Sequence, residues 1–390
     1  MHFSVSRFSF LQKLYALHKI ITPPRNSEYF LLEIFGEKLM IMLSDSENLI
    51  TTEIQVYVKK YSKEKVAVHP QLIIDILRTF SDETLLIKFK KEKKILNIGS
   101  KQGDYNIPII FKSHLTYFNK KKLSHILHPK KKITLFSNML LNILNKTLFV
   151  IENNKEELRP IMNGVFFQFS SYGSTFVATD TYKLVKYTID HIKLDQFIEF
   201  TIPKKSLNIL KKILINETNE KSKVTIEYHN KMDLKFYLEN ETFSCLLINE
   251  KYPNYNSFIP NKYDVSFIIN RISFLNSIKR ISILNKKKTS FIRFYFLNDN
   301  RLKIYEENAR ISSFLTIIQY ESESIDNSFQ KKEIKIGFNS QFLIEILSSF
   351  NEDFVRFELY STFNKVGILR PINNKKEESI LILIMSVIIL

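Results

Sequence analysis

Two hydrophobic rhythms alternate along this chain, and the pair of them occurs three times. The first rhythm has helical spacing. It is carried by Val66–Phe80 (VAVHPQLIIDILRTF), Phe200–Leu214 (FTIPKKSLNILKKIL) and Ile334–Phe350 (IKIGFNSQFLIEILSSF). Each segment opens as a short apolar strand, crosses a polar capping stretch, and continues with apolar residues three and four apart. Ile73, Ile76, Leu77 and Phe80 form the first stripe; Leu207, Leu210, Ile213 and Leu214 the second; Leu343, Ile346, Leu347 and Phe350 the third. That spacing predicts a helix with one buried face. The second rhythm is that of a hairpin. It runs over Phe30–Asp45 (FLLEI, FGEK, LMIMLSD), over Arg159–Phe169 with Val177–Asp180 across a polar turn at 170–174, and over Phe291–Glu307 (FIRFYF, LNDN, RLKIYEE).

The repeats are in step. Val68 to Ile202 is 134 residues, Ile202 to Phe338 is 136, and Asp45 to Asp180 is 135. A period this long is a domain rather than a solenoid unit. A further helix opens each repeat. Its apolar residues are Phe10, Leu11 and Leu14 in the first, Leu140, Leu141, Leu144 and Leu148 in the second, and Phe274, Leu275, Ile278 and Ile281 in the third. Helices grouped against many short strands give an α+β class. The expected domains are 1–128, 129–261 and 262–390, with seams at Phe118–Lys132 and Tyr252–Tyr263.

Composition narrows the function. The chain has 390 residues, 44% hydrophobic, and a single cysteine, so no internal disulfide is possible. Cys245 lies in a strand-like run, where it reads as a small buried hydrophobe. The start, MHFSVSRFSF, lacks a signal-peptide core, and the apolar end Ile380–Leu390 is too short to span a membrane. It reads as a strand and an apolar tail packed on its own domain, and a cytoplasmic protein is expected. Net charge is +17. Such an excess points to a polyanionic partner, or to lysine enrichment by A/T-rich codons; both accounts stay open. On the helical segments Lys204, Lys205, Lys211 and Lys212 lie opposite the apolar stripe, as do Lys279 and Arg280, and Lys146 lies on the outer side of its helix.

Catalytic patterns are missing. No phosphate loop, dinucleotide fingerprint, HExxH or cysteine pair occurs, and the eight histidines have no metal spacing. No catalytic residue, metal or cofactor is expected. Asp45, Glu47 and Asp180 resemble an acidic cluster, but Asp45 and Asp180 occupy equivalent hairpin ends and read as turn or cap residues. The chain reads as a binding scaffold rather than an enzyme.

The motifs RPIMNGVFFQF (159–169), VATDTYKL (177–184), KYPNYNSFIP (251–260), GFNSQFLIEIL (337–347) and LIMSVIIL (383–390), with the opening MHFSVSRFSFLQKL, resemble bacterial sliding clamps, the beta subunit of DNA polymerase III. The form RPIMNGVFFQF is similar to clamps of Bacteroidota-type bacteria. The resemblance implies a head-to-tail ring homodimer of six domains, with helices lining a hole and sheet outside. It implies a non-catalytic processivity factor that encircles duplex DNA without reading its sequence and tethers the polymerase III alpha subunit, with the clamp loader as a further partner. A ring that must slide needs diffuse positive charge facing phosphates rather than base contacts.

Carried over onto this sequence, Lys146, Lys204, Lys205, Lys211, Lys212, Lys279 and Arg280 face the hole, joined by Arg25. The family's peptide pocket falls on Met162, Thr179, Thr181, Tyr182, Lys183 and Leu184. It continues on Pro253, Phe258, Phe342 and Phe363, with Met385, Ser386, Val387 and Ile388 in the tail. The subunit boundary falls on Tyr105 and Ile107 against Ile283 and Leu284. The chain departs from the family at Thr181-Tyr182-Lys183, where Gly-His-Arg is common, at Ser386, where proline is common, and in its positive charge. A second reading is a monomeric basic nucleic-acid-binding protein, which calls for aromatics alternating with basic residues on one sheet face.

Overall fold

The computed structural model describes residues 1–20, 29–62, 64–109, 131–151, 159–217, 219, 221–229, 232–260, 263, 265–284, 291–296, 301–308, 311–324, 335–360, 366–372 and 377–386. Among them are six α-helices: α1 (Arg7–Ile20), α2 (Pro70–Thr79), α3 (Ser137–Thr147), α4 (Lys204–Asn216), α5 (Arg271–Leu284) and α6 (Ser340–Ser349). All ladders between the strands are antiparallel. The fold is α+β, in three similar domains.

The apolar stripes fall where their spacing puts them. Leu207, Leu210, Ile213 and Leu214 of α4 are buried, as are Leu343, Ile346 and Leu347 of α6. In α2 the buried set is Ile73, Ile74 and Leu77, and Ile76 is only half-buried. Phe80 and Phe350 are buried, but each sits just past its helix in an extended conformation. Leu148 likewise falls beyond α3, in a short 3-10 turn. The upstream hairpin closes through Gly36 and Glu37, and Gly36 takes a φ of +60°, which suits the first position of a two-residue turn. The central hairpin begins later than its sequence suggests. Residues Pro160–Asn163 form a 3-10 turn, and the strand starts at Gly164. A side chain there would come within 2.5 Å of the Ile202 carbonyl oxygen on the neighbouring strand.

The threefold repeat is written in hydrogen bonds. The first N–H of α1 donates to Glu83 (2.9 Å), that of α3 to Ser222 (2.9 Å) and that of α5 to Asp353 (2.8 Å). Each acceptor lies after the second helix of the same repeat. Arg7 and Arg271, the first residues of α1 and α5, also cap the second helix. Arg7 donates to the carbonyls of Leu77 and Arg78, and Arg271 to those of Leu347 and Glu352. Cations suit these helix C-termini because the last carbonyls lack intrahelical donors.

The described residues pack as two compact units, 1–141 with 205–247 and 142–204 with 248–390. The first holds a five-stranded sheet, in the order 57–60, 2–6, 84–90, 95–100, 103–108. It also holds an eight-stranded sheet, in the order 131–136, 223–229, 233–237, 241–246, 48–55, 38–44, 30–35, 66–68. The second holds one twelve-stranded sheet, in the order 198–203, 164–170, 173–179, 183–189, 378–385, 366–371, 354–359, 265–270, 311–324, 301–308, 291–296, 335–339. Central-repeat strands therefore continue sheets begun by each neighbour. Phe243 stands opposite Ile50, and Leu184 opposite Leu383. This sharing divides the central repeat between the two units.

Candidate functional site

Within the second unit, the turn between the strands Gly173–Thr179 and Lys183–Ile189 builds a constrained site. The Thr179 hydroxyl accepts from the Thr181 N–H (3.2 Å) and donates to the Lys183 carbonyl (2.8 Å). The Asp180 carboxylate accepts from the N–H groups of Tyr182 (3.0 Å) and Lys183 (2.7 Å). These bonds hold Thr181 at a φ of +77°, a region that β-branched residues seldom enter. The turn residue of the first unit repeats the pattern, since Asp45 accepts from the N–H groups of Glu47 (2.8 Å) and Asn48 (2.7 Å). Both aspartates thus act at their turns, as their hairpin positions suggest. Burial pushes the Asp45 carboxyl up. The hydrogen bond from Lys205 and the Glu47 and Asn48 N–H groups outweigh it, so its pKa lies below the ordinary value.

The turn delivers Lys183 to the interior. Its side chain is fully buried, with the ammonium 2.7 Å from Glu345 and 3.5 Å from Asp180. The same ammonium lies 4.2 Å from the centre of the Phe342 ring. Tyr182, half-exposed, sets its ring 6.2 Å from that of Phe342, and its carbonyl accepts from the Met385 N–H (2.9 Å). Beneath lies a buried apolar cluster that includes Ile161, Phe166, Val177, Leu184, Tyr252, Tyr255, Val366 and Leu383. Met162, Ile259 and Met385 pack against it, half-buried. Phe166 and Tyr252 stack at 4.7 Å. The Tyr252 hydroxyl is buried with no hydrogen-bond partner among the described residues, and burial raises its pKa.

Expected pocket residues thus gather from distant parts of the chain: Met162, Thr179, Tyr182, Lys183, Leu184, Phe342 and Met385. Ser386 follows Met385, half-buried; Thr181 is exposed at the turn, and Pro253 is half-buried beside Tyr252. Phe258 is exposed on the 3-10 turn that begins at Tyr255. Phe363, Val387 and Ile388 lie outside the described residues. Sequence reasoning missed Glu345 and the two tyrosines. Glu345 had a signal, because it stands three residues after Phe342 and so shares its helix face.

The expected phosphate-facing cations divide. Lys146 needs correction: it is buried, and its ammonium donates to the Ser349 carbonyl at the end of α6 (2.7 Å). Its long stem reaches an electronegative helix terminus, which removes the charge from solvent. Lys204 donates to the Ile151 carbonyl, and Lys212 to that of Ile20 at the end of α1 (3.0 Å). Lys205 is ion-paired with Asp45 at 2.6 Å. Lys211 is half-exposed, and Lys279 and Arg280 are exposed. Arg25 lies outside the described residues.

At the expected subunit boundary, Ile283 is 76% exposed and Tyr105 is 40% exposed, with its ring edge-on to Phe80. Ile107 is a second correction. It has no accessible surface, because its strand position turns it into the core of its own sheet. Leu284 ends α5. Cys245 is buried, which raises its thiol pKa. Among the described residues no histidine, cysteine or acidic group forms a metal cluster, and no helix is long and apolar enough to cross a membrane.

Three family models match in order: the N-terminal domain of the DNA polymerase III beta subunit over residues 1–113, its central domain over 134–254, and its C-terminal domain over 256–386. The chain is 24% identical to the beta sliding clamp of Mycoplasma capricolum, over 94% of this chain and 95% of that protein. It is 25% identical to the beta sliding clamp of Helicobacter pylori, over 82% and 79%. Among solved structures, a DNA polymerase sliding clamp from Pseudomonas aeruginosa superposes with a TM-score of 0.83 at 18% identity, and one from Bacillus subtilis with 0.82 at 19%, each over the whole of both chains. With the three domain models matched in sequence along nearly its whole length, the chain belongs to the DNA polymerase III beta subunit family.

Proposed function

We infer that the chain is a DNA sliding clamp, a non-catalytic accessory in which two copies close head to tail around duplex DNA and tether the replicative polymerase. The observation that carries the ring is the pair of sheet edges left over by the repeat. Each internal seam joins two antiparallel strands, Asn48–Thr52 with Glu241–Cys245 and Lys183–Ile189 with Glu378–Met385. A third strand of the second kind, Gly103–Pro108, ends its sheet. A third strand of the first kind, Ile311–Ser324, pairs with Val265–Asn270 only through residues 320–324. Along that side its residues 311–319 have no partner among the described residues. Open edges recruit another chain, and two complementary heterologous contacts close a ring.

In this reading Lys211, Lys279 and Arg280 supply diffuse charge toward phosphates. The apolar cluster beside Tyr182, Phe342 and Met385 receives short apolar segments of the polymerase alpha subunit and the clamp loader. Its form suits such anchors, apolar with a few polar groups at the margin. The protein then works in the cytoplasm, where its DNA is.

The test is retention on DNA of different topology. Sedimentation at micromolar concentration is expected to give twice the chain mass of 46.2 kDa. Protein loaded on nicked circular DNA should remain through a high-salt wash and leave once the circle is linearised. A monomer, or equal loss from circles and linear DNA, overturns the reading and returns it to a basic nucleic-acid-binding protein.

A further inference from the structure

One row of the sheet beneath the apolar cluster breaks its own pattern. Phe166, Val177, Lys186 and Leu381 stand opposite one another across four strands, and directly opposed residues share a face. Phe166, Val177 and Leu381 belong to the buried cluster. Lys186 sets an ammonium where the row calls for a fourth apolar side chain. It stands two residues from Leu184 on one strand, so both project to the same face, about 7 Å apart. Lys186 is half-buried. Its ammonium has a neutral partner, the Asn256 side-chain oxygen at 3.1 Å, and lies 5.6 Å from the centre of the Tyr255 ring. Among the described residues no carboxylate lies within 4 Å of it. Arg370, which comes next along the same line, is answered differently. Its Nε donates to Glu358 at 3.0 Å, and the Tyr360 hydroxyl donates to the other Glu358 oxygen at 3.2 Å. Burial, and then the charge of Arg370, push the Lys186 pKa down.

We propose that Lys186 selects partner segments by charge, taking as its counter-ion an acidic side chain that flanks the segment's apolar anchors. A half-buried ammonium without a counter-ion costs free energy in the folded chain. A partner's carboxylate turns that cost into a charge-assisted hydrogen bond. A neutral segment leaves the ammonium on Asn256, and a basic one meets Lys186 and Arg370 together. The face runs on past Lys186 to Thr188, whose hydroxyl pairs with that of Thr175 at 3.3 Å. A bound chain therefore need not stop at Lys186, which favours an acidic side chain within the segment over a terminal carboxylate. This selectivity rests on the clamp reading for the apolar anchors and adds the charge that must stand beside them.

The test uses the full-length protein and fluorescein-labelled, C-terminally amidated peptides, with Leu and Phe anchors in a Ser-Gly background, followed by anisotropy. One Asp is walked through the remaining positions, each peptide being compared with its Asn counterpart. At the position that reaches Lys186, Asp should bind about 3- to 30-fold tighter than Asn, between an exposed ion pair and a charge-assisted hydrogen bond. Lys186→Met keeps the stem, so it should erase that preference while binding of the Asn peptide stays within about twofold. Lys186→Arg should restore the preference, and Lys186→Glu should turn it into a preference for Lys over Asn in the peptide. The melting temperature of Lys186→Met should not fall, because no counter-ion is lost. Equal Asp preference in the unmodified protein and Lys186→Met overturns the proposal. So does the absence of any Asp preference while the Asn peptides bind, a gain confined to peptides with a free terminal carboxylate, or a clear fall in the melting temperature of Lys186→Met. Failure of every anchored peptide to bind the unmodified protein would instead strike the pocket of the clamp reading, and the selectivity with it.

Discussion

Replacing Lys183 by methionine keeps much of the apolar stem and removes the charge that the Asp180 turn carries into the second unit. Two carboxylates lose their counter-ion. Asp180 has no exposed side-chain surface, whereas the Glu345 side chain is 33% exposed. Removing one partner from a buried ion pair costs about 3–5 kcal/mol. Glu345 can turn toward water, so the lower end applies, and the lost cation over the Phe342 ring adds roughly 0.5–1 kcal/mol. The expected destabilisation is therefore about 3–4 kcal/mol, which lowers the melting temperature of a unit this size by about 6–16 °C. Thermal and urea unfolding of the full chain, read alongside hydrogen exchange at 183–189 and 378–385, report it. Asp180→Asn combined with Lys183→Met should recover at least about 1.5 kcal/mol, because a neutral amide no longer needs the ammonium and still accepts the two turn N–H groups. Glu345→Gln alone should cost no more than about 1 kcal/mol, as for a partly exposed pair. If Lys183→Met stays within about 0.5 kcal/mol of the unmodified protein, or if the double variant is no better than the single, the buried charge does not hold this seam.

Three further outcomes follow from the same geometry. Phe342→Asp places a carboxylate beside the Lys183 ammonium, so unfolding should shift by less than about 1 kcal/mol while binding of polymerase and clamp-loader peptides is lost; urea unfolding checks the first and isothermal titration the second, and undiminished binding would move the pocket elsewhere. Ile283→Ala with Leu284→Ala should yield monomers in analytical ultracentrifugation, because it strips apolar area from the exposed end of α5; an intact dimer would relocate the boundary. The Asp45 pKa is depressed in the folded chain, so its contribution is present above its unfolded value of about 3.9 and is lost as pH falls below that. Asp45→Asn should therefore flatten the loss of stability below about pH 4, and acid unfolding curves that superimpose would remove the Lys205 pair as its cause.

Local pattern determined much of this protein. The stripes of α4 and α6 fixed which side chains are buried, because 3.6-residue spacing selects a face without any knowledge of the partner. The period near 135 residues fixed the threefold repeat, and the placing of Asp45 and Asp180 at equivalent hairpin ends fixed their role as turn acceptors. Pattern did not decide what a cation does once it lies opposite a stripe. Lys146, Lys204 and Lys212 have stems long enough to reach carbonyls in other segments, and whether one lies in range depends on residues far away in sequence. Nor could alternation show that Ile107 turns inward while Tyr105, two positions earlier, keeps exposed surface. The register of Phe243 on Ile50 and of Leu184 on Leu383 was likewise invisible, because strand partners almost two hundred residues apart leave no local trace. Lys183 shows the division most sharply: its place next to Asp180 is in the sequence, but only the packing of α6 supplies Glu345 and Phe342, and only burial turns that contact into an interaction strong enough to hold a seam.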